Sequence, residues 1–196
     1  IGSDNGTGNI KGIGITVKNG LMTNGIIGGI SIILLTIIYF CLDHFGQAPE
    51  LMPYIKPYFA IIGISTLFAL GFNVLKQFTD GICRPMISMT LLMIGNLLNI
   101  FGNWVLIYGK LGFPEMGLTG AGISTLVSRA LILLVFVVFI FKSKKMNEYA
   151  RAFKEALLSR GEMKTVFKMG YPVGIQMALE SSTFTFAAVM AGWLGV

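Results

Sequence analysis

Residues 20–42 read GLMTNGIIGGISIILLTIIYFCL, and no residue between Lys18 and Asp43 carries a charge. A helix rises about 1.5 Å per residue, so roughly 20 apolar residues match the hydrocarbon core of a bilayer. The stretch also lacks the strict alternation of apolar and polar residues that is typical of a half-buried strand. It therefore predicts a membrane-spanning helix.

The same pattern recurs four times along the chain. Two of these blocks are free of charged residues, and the other two hold one ionisable residue each. The whole chain is 54% hydrophobic and 12% charged, about half the charge of an ordinary soluble domain. A cleaved signal peptide is excluded for the first block because it is too long and four similar blocks follow. The sequence thus predicts an all-α polytopic membrane protein with spanning helices at about 20–42, 54–78, 85–108, 116–141 and 169–196.

The net charge of +6 is distributed unevenly between the predicted loops. When the loops are taken alternately, twelve basic residues fall in one set and only Lys56 and Lys110 in the other, while Arg129 lies inside a helix. Such a bias follows the positive-inside rule. We therefore expect a cytoplasmic N-terminus and an outer C-terminus, and we interpret the charge as a topology signal rather than as affinity for nucleic acid.

Several kinds of site are not expected. The predicted topology separates Cys41 from Cys83, and the single histidine, His44, has no partners for a metal site. There is no Ser/His/Asp set, no HExxH motif and no nucleotide-binding loop, so we expect neither an enzyme nor a bound cofactor. Residues 1–19 are rich in glycine without a phosphate-loop motif, and we interpret them as a flexible connector.

The segment 142–168 is the one long predicted loop. It contains apolar residues at helical spacing, with charged residues on the other faces. This pattern predicts an amphipathic helix on the cytoplasmic leaflet with its apolar stripe among the headgroups, or alternatively a helix that binds a partner. The predicted stripe consists of Met146, Tyr149, Ala150, Phe153 and Leu157.

Glu180 is the one acidic residue in the fifth predicted span, about 18 Å along the helix from Lys168. Ionisable groups within a bilayer are costly and are usually functional. We expect Glu180 to bind a proton, a sodium ion or a cationic substrate, with Gln176 one turn away on the same face. The alternative is a neutral glutamic acid that is hydrogen-bonded within the bundle.

Arg129 lies at a similar predicted depth in the fourth span. Because a guanidinium keeps its charge permanently, we favour a structural role, satisfied by carbonyl groups or by a carboxylate. The matched depths raise the hypothesis of a direct pair with Glu180.

Asn96, Asn99 and Asn103 follow one another at spacings of three and four residues. One face of the third predicted span therefore carries three carboxamides. They are suited either to binding a cation together with a neighbouring carboxylate or simply to hydrogen bonds between helices.

Four strings resemble the multidrug and toxic compound extrusion (MATE) transporter family in order and spacing. Together they extend over nearly the whole chain, although each alone is weakly specific. They are KQFTDG at 76–81 with RPM at 84–86, LLNIFGNW at 97–104, GFPEMG at 112–117 with GAGISTLVSR at 120–129, and GYPVGIQ at 170–176 with Glu180 and GWLG at 192–195.

The resemblance implies a fold of twelve helices in two lobes. Residues 1–141 would supply the third to sixth helices of the first lobe, 142–168 the cytoplasmic loop, and 169–196 the helix that opens the second lobe. The chain would then be a fragment that packs against seven further helices in the inner membrane of a bacterium. Such transporters exchange sodium ions or protons for cationic amphipathic drugs.

The resemblance also implies roles for particular residues. Glu180 occupies the position of a cation-binding glutamate of the NorM-like branch, and Asn99 and Asn103 match polar residues that work with a first-helix aspartate outside this sequence. Some proton-coupled relatives carry aspartate where this chain has Asn103, so the coupling ion stays open. We expect Gln176 and Asn96 to line the substrate cavity.

Two alternatives to drug efflux remain at this point. A flippase for lipid-linked sugars is a related transport function, but it usually needs several basic residues in its cavity, where Arg129 alone is available. A non-transporting membrane scaffold subunit is the alternative from another class, because five helices could serve that purpose.

Overall fold

The computed structural model describes residues 1–42, 50, 52–143 and 146–193, with the backbone alone at 184–189 and 191–193. The described residues form helices and connecting turns, which confirms the predicted all-α fold. The helices are α1 (Gly2–Gly6), α2 (Ile10–Cys41), α3 (Met52–Gly81), α4 (Pro85–Ile107), α5 (Gly117–Lys142), α6 (Asn147–Glu155) and α7 (Arg160–Trp193).

Four of these helices, α2 to α5, are long and apolar enough to cross a membrane. The chain is therefore a multi-pass membrane protein. The predicted fifth span begins within α7, but residues 194–196 and several of its side chains lie outside the described residues.

The first spanning helix begins at Ile10, about ten residues before the predicted start. The Asn9 side chain accepts a hydrogen bond from the Gly12 amide at 3.0 Å and so caps the helix. Ile13 and Val17 are almost fully buried, and this packing outweighs the low helix propensity of the glycines around them. The interpretation of residues 1–19 as a flexible connector was therefore wrong.

A tight turn joins α3 to α4 at the end of the bundle where α2 begins, α5 ends and α6 packs; because this end carries most of the described basic residues of the first unit, it is called the basic end. Lys76 and Asp80 form an ion pair at 2.9 Å, and the Ser88 hydroxyl donates to the other oxygen of Asp80 at 3.2 Å. Pro85 occupies the first turn of α4, where its missing N–H costs no hydrogen bond. The sequence KQFTDG thus ends α3 at a turn that is held to α4 by a hydrogen bond.

Residues 1–158 and 159–196 form two compact units. In the first unit, α5 packs against α3 and α4, while α2 packs against α3 and α6. In the second unit, α7 runs through Pro172 without a break in its helical assignment. The buried core of the first unit lies at the end where α2, α3, α5 and α6 meet, and it includes Ile13, Val17, Leu75, Phe78, Ile82, Phe136, Ile140, Met146 and Ala150.

The short helix α6 packs against protein, where the sequence predicted headgroups. Met146 and Ala150 of the predicted stripe are buried, whereas Leu157 is 80% exposed. A Cβ atom on Gly14 would lie 2.5 Å from the carbonyl carbon of Ala152, so the two helix backbones approach closely. Because Gly14 leaves room for α6 on α2, Met146 and Ala150 of the stripe pack against protein rather than among headgroups, and the position of α6 at the membrane surface stays a prediction.

Candidate cation and substrate site

A network of polar side chains connects α4 to α5. The Asn99 amide donates to the Thr125 hydroxyl at 3.2 Å, and the Asn103 amide donates to the Asn99 Oδ1 atom at 3.2 Å. The Ser124 hydroxyl donates to the backbone carbonyl of Asn99 at 3.0 Å. Two of the three predicted asparagines therefore belong to one hydrogen-bonded group.

Small residues bring the two helices close enough for this network. A Cβ atom on Gly102 would collide with the Ser124 side chain, and one on Gly120 would lie 2.7 Å from the Leu106 carbonyl oxygen. Such close approach is typical of membrane helices that pack through glycine and serine. The polar side chains are consequently held between two backbones in near contact.

The Oδ1 atom of Asn103 is the unsatisfied member of the network. It is buried, and it has no hydrogen-bond partner among the described residues. Leaving a buried acceptor unpaired costs about 1–3 kcal/mol. This oxygen is suited to accept a hydrogen bond from a donor or to coordinate a cation.

Asn96 is separate from this group. Its side chain is exposed, and no hydrogen bond connects it to the network of Asn99 and Asn103. Helical spacing placed all three carboxamides on one face, but the structure brings only two of them together.

Arg129 lies one turn beyond Thr125 on α5 and turns towards α3. Its Nη1 atom donates to the Ser65 hydroxyl at 2.8 Å, and Ser65 is fully buried and donates in turn to the Ile62 carbonyl at 2.8 Å. Within the described part of the chain, Arg129 makes no ion pair. Its contact joins α5 to α3 through a neutral hydroxyl, and the pairing with Glu180 stays a prediction.

Glu180 and Gln176 lie one helical turn apart on α7. The neighbouring hydroxyls of Ser182 and Thr183 donate to the carbonyls of Ala178 and Leu179 on the same helix, at 2.7 and 3.0 Å. Those hydroxyls are therefore occupied by their own backbone. The roles of Glu180 as an ion ligand and of Gln176 in a cavity stay predictions.

Sequence reasoning missed Ser65, Ser124 and Thr125 as site residues. A usable signal was present, because Gly120, Ser124 and Ser128 are small residues spaced four apart, and all three are buried. That pattern marks the face of a membrane helix that packs closely against a neighbour. Ser65 had no comparable signal.

The two cysteines are free and exposed in the structure. His44 lies outside the described residues. Among the described residues, no three His, Cys, Asp or Glu side chains form a group that could hold a metal ion.

Comparison with known proteins supplies the family. The MatE family model matches residues 1–105. The chain is 31% identical to the probable multidrug resistance protein NorM of Photorhabdus laumondii over 185 residues, which cover 94% of this chain and 40% of that protein. It is 30% identical to the multidrug resistance protein NorM of Photobacterium profundum, over 97% of this chain and 42% of that protein.

A third relative is the multidrug resistance protein NorM of Vibrio cholerae, 33% identical over 64% of this chain and 28% of that protein. The chain thus spans about two fifths or less of the length of these relatives. The family model covers more than half of the chain, in helices that have the length and composition of membrane spans. This chain belongs to the MatE family, the multidrug and toxic compound extrusion transporters.

Proposed function

We propose that this chain is part of a secondary active antiporter that exports cationic amphipathic compounds in exchange for sodium ions or protons. The family membership and the multidrug resistance proteins among the relatives support this function. Within the structure, the observation that supports this function is the buried Oδ1 atom of Asn103, which is unpaired among the described residues.

The network of Asn99, Asn103 and Thr125 is the proposed first-lobe ion site. Amide and hydroxyl oxygens are hard ligands of the kind that alkali and alkaline-earth cations prefer. A carboxylate from the first helix of the family fold, as the resemblance implies, would supply the compensating charge. In the proton-coupled case, Asn103 Oδ1 would accept a hydrogen bond from that carboxyl group when it is protonated.

Glu180 is the proposed ligand in the second lobe. A carboxylate in the low dielectric of a bilayer gains much by neutralisation, whether from a proton, a sodium ion or an organic cation. Because one carboxylate cannot be neutralised by two cations at once, coupling ion and substrate would compete there. Such competition produces exchange. We assign Gln176 and Asn96 to the lining of the substrate cavity.

Arg129 has a structural role in this proposal. Its hydrogen bond to Ser65 supports the α3–α5 contact behind the α4–α5 network. The basic end of the bundle, with the α3–α4 turn and α6, lies on the cytoplasmic side of a bacterial inner membrane, in agreement with the positive-inside rule.

The test is gradient-driven export of ethidium by the full-length protein in proteoliposomes. The Glu180→Gln variant is expected to lose export under both a sodium and a proton gradient, while Glu162→Gln on the same helix retains it. Wild-type protein that moves a lipid-linked sugar and no dye would point to a flippase. Flux of neither compound, under either gradient, would overturn transport in favour of a scaffold.

A further inference from the structure

An apolar cavity of about 210 Å³ lies where α6 covers α2, α3 and α5. Its walls include Val17, Phe78, Val137, Phe141 and Phe153. The volume is below the roughly 300–1,000 Å³ of pockets that enclose drug-sized ligands. A cavity with this lining is suited to a short length of hydrocarbon and holds no water strongly.

A basic groove along α6 adjoins this cavity. It is lined by Asn147, Arg151 and Lys154, and it shares Phe141 and Ala150 with the cavity. The Lys154 ammonium lies over the Phe141 ring, 5.6 Å from its centroid, and the same ring packs edge to face on Phe153 at 6.3 Å. Phe141 therefore separates an apolar space from a cationic one.

Among the described residues, the two cations of the groove have no acidic partner. Arg151 and Lys154 are exposed and form no ion pair within the described ranges, although Glu148 and Glu155 flank them on α6. The segment 142–155 as a whole holds five basic and two acidic residues. Its charge is thus complementary to an anion.

The depth of the site matches the edge of a bilayer. Val137 and Phe141 belong to the last turns of the spanning helix α5, and both are partly exposed on its surface. Lys142, the final residue of α5, marks the level of the headgroups. The acyl chain and the anionic headgroup of a phospholipid would meet at this level.

We propose that α2, α5 and α6 together bind one anionic phospholipid of the leaflet at the basic end. Its phosphate lies between Arg151 and Lys154, and part of one acyl chain enters the cavity past Val137 and Phe141. Basic pockets beside membrane helices are suited to such headgroups. The site is separate from the polar network of α4 and α5, and it does not depend on which compound is exported.

The test uses native mass spectrometry of the full-length protein in detergent, titrated with dioleoyl phosphatidylglycerol. Dioleoyl phosphatidylcholine and glycerol phosphate are the comparison ligands. Phosphatidylglycerol is expected to bind with the lowest apparent Kd. Glycerol phosphate as tight as the lipid would identify a site for free phosphate and overturn the proposal.

The charge part of the proposal is tested with the double variant Arg151→Gln/Lys154→Gln. Loss of two cations near the headgroup is expected to raise the Kd for phosphatidylglycerol about 30-fold. The matched control is Lys11→Gln/Arg84→Gln, which removes two exposed cations from the same end outside the groove. An equal effect in the control would show general attraction to the basic surface and would overturn the specific site.

The apolar part is tested with Val137→Phe, which fills the cavity from its exposed side. Each methylene group of the acyl chain that the new phenyl ring displaces is expected to raise the Kd for the lipid about fourfold, and the Kd for glycerol phosphate is expected to stay unchanged. Val137→Leu is a milder second variant if the first unfolds, as judged by its Tm. Lipid affinity unchanged in a folded variant would show that no acyl chain enters the cavity.

Discussion

The Asn103 side-chain amide donates to the Oδ1 atom of Asn99 at 3.2 Å, one turn earlier on α4. Asn99 in turn donates to Thr125, whose hydroxyl donates to the Ala121 carbonyl at 2.9 Å. Each side-chain amide of the series donates once, and the buried acceptor left without a partner among the described residues is Oδ1 of Asn103. The arrangement therefore leaves an unpaired oxygen at that end.

Replacing Asn103 with leucine separates stability from transport. The change removes the unpaired acceptor of Asn103, but it also removes the donor to Asn99 Oδ1, so one unpaired acceptor replaces another and the two contributions of about 1–3 kcal/mol largely cancel. The full-length variant is expected to keep its Tm while ion-coupled dye export falls about tenfold or more. A variant with normal export would remove Asn103 from the ion site.

Gly14→Ala is expected to destabilise the protein by about 1–3 kcal/mol, because the new methyl group would overlap the backbone of Ala152. Thermal unfolding of the full-length protein in detergent measures the change. The matched control is Gly25→Ala on the same helix, where a Cβ atom meets nothing within 4 Å. An unchanged Tm for both variants would contradict the close packing of α6 on α2.

Lys18 stabilises the end of α6. Its Nζ atom donates to the Ala156 carbonyl at 2.7 Å and lies 5.9 Å from the centroid of the Phe153 ring. A cation at a helix C-terminus contributes about 0.3–1 kcal/mol, and the charged hydrogen bond adds to this. Lys18→Met is expected to increase hydrogen exchange in α6, whereas Lys11→Met leaves it unchanged. Equal rates of hydrogen exchange in α6 of both variants would contradict the stabilisation of this helix end by Lys18.

Ser65→Ala leaves the Arg129 guanidinium without its hydroxyl partner. The expected loss of unfolding free energy is about 1.5–3 kcal/mol, since the group is charged and partly buried. In a double-mutant cycle, Ser65→Ala and Arg129→Leu should couple by about 0.5 kcal/mol or more. Thr66→Ala, whose hydroxyl bonds its own helix, is the control and should not couple with Arg129→Leu. If the losses of unfolding free energy caused by Ser65→Ala and Arg129→Leu simply add, the contact between these residues contributes nothing to stability.

Several features of the fold were predictable from local sequence. Long apolar runs with at most one ionisable residue predicted the spans that became α2 to α5, because the length and hydrophobicity of a helix are properties of one segment. The family strings predicted the MatE family, which the family model confirms. The position of Pro85 in the first turn of α4 was equally a local property.

The candidate site was predictable only in part. Asn99 and Asn103 could be paired from their spacing on one helix, because the geometry of a helix relates residues four apart. Thr125 lies 26 residues from Asn99, and Arg129 lies 64 from Ser65. No local pattern relates residues at such separations.

The sequence by itself thus determined the membrane class, the spanning helices of the first unit and the family. Tertiary structure alone decided that α6 packs on Gly14 and which hydroxyl faces Arg129, whereas the start of α2 combines the local Asn9 cap with the burial of Ile13 and Val17. The physical reason is that burial in a bilayer depends on each helix separately, whereas the contacts between helices depend on where small residues let two backbones meet.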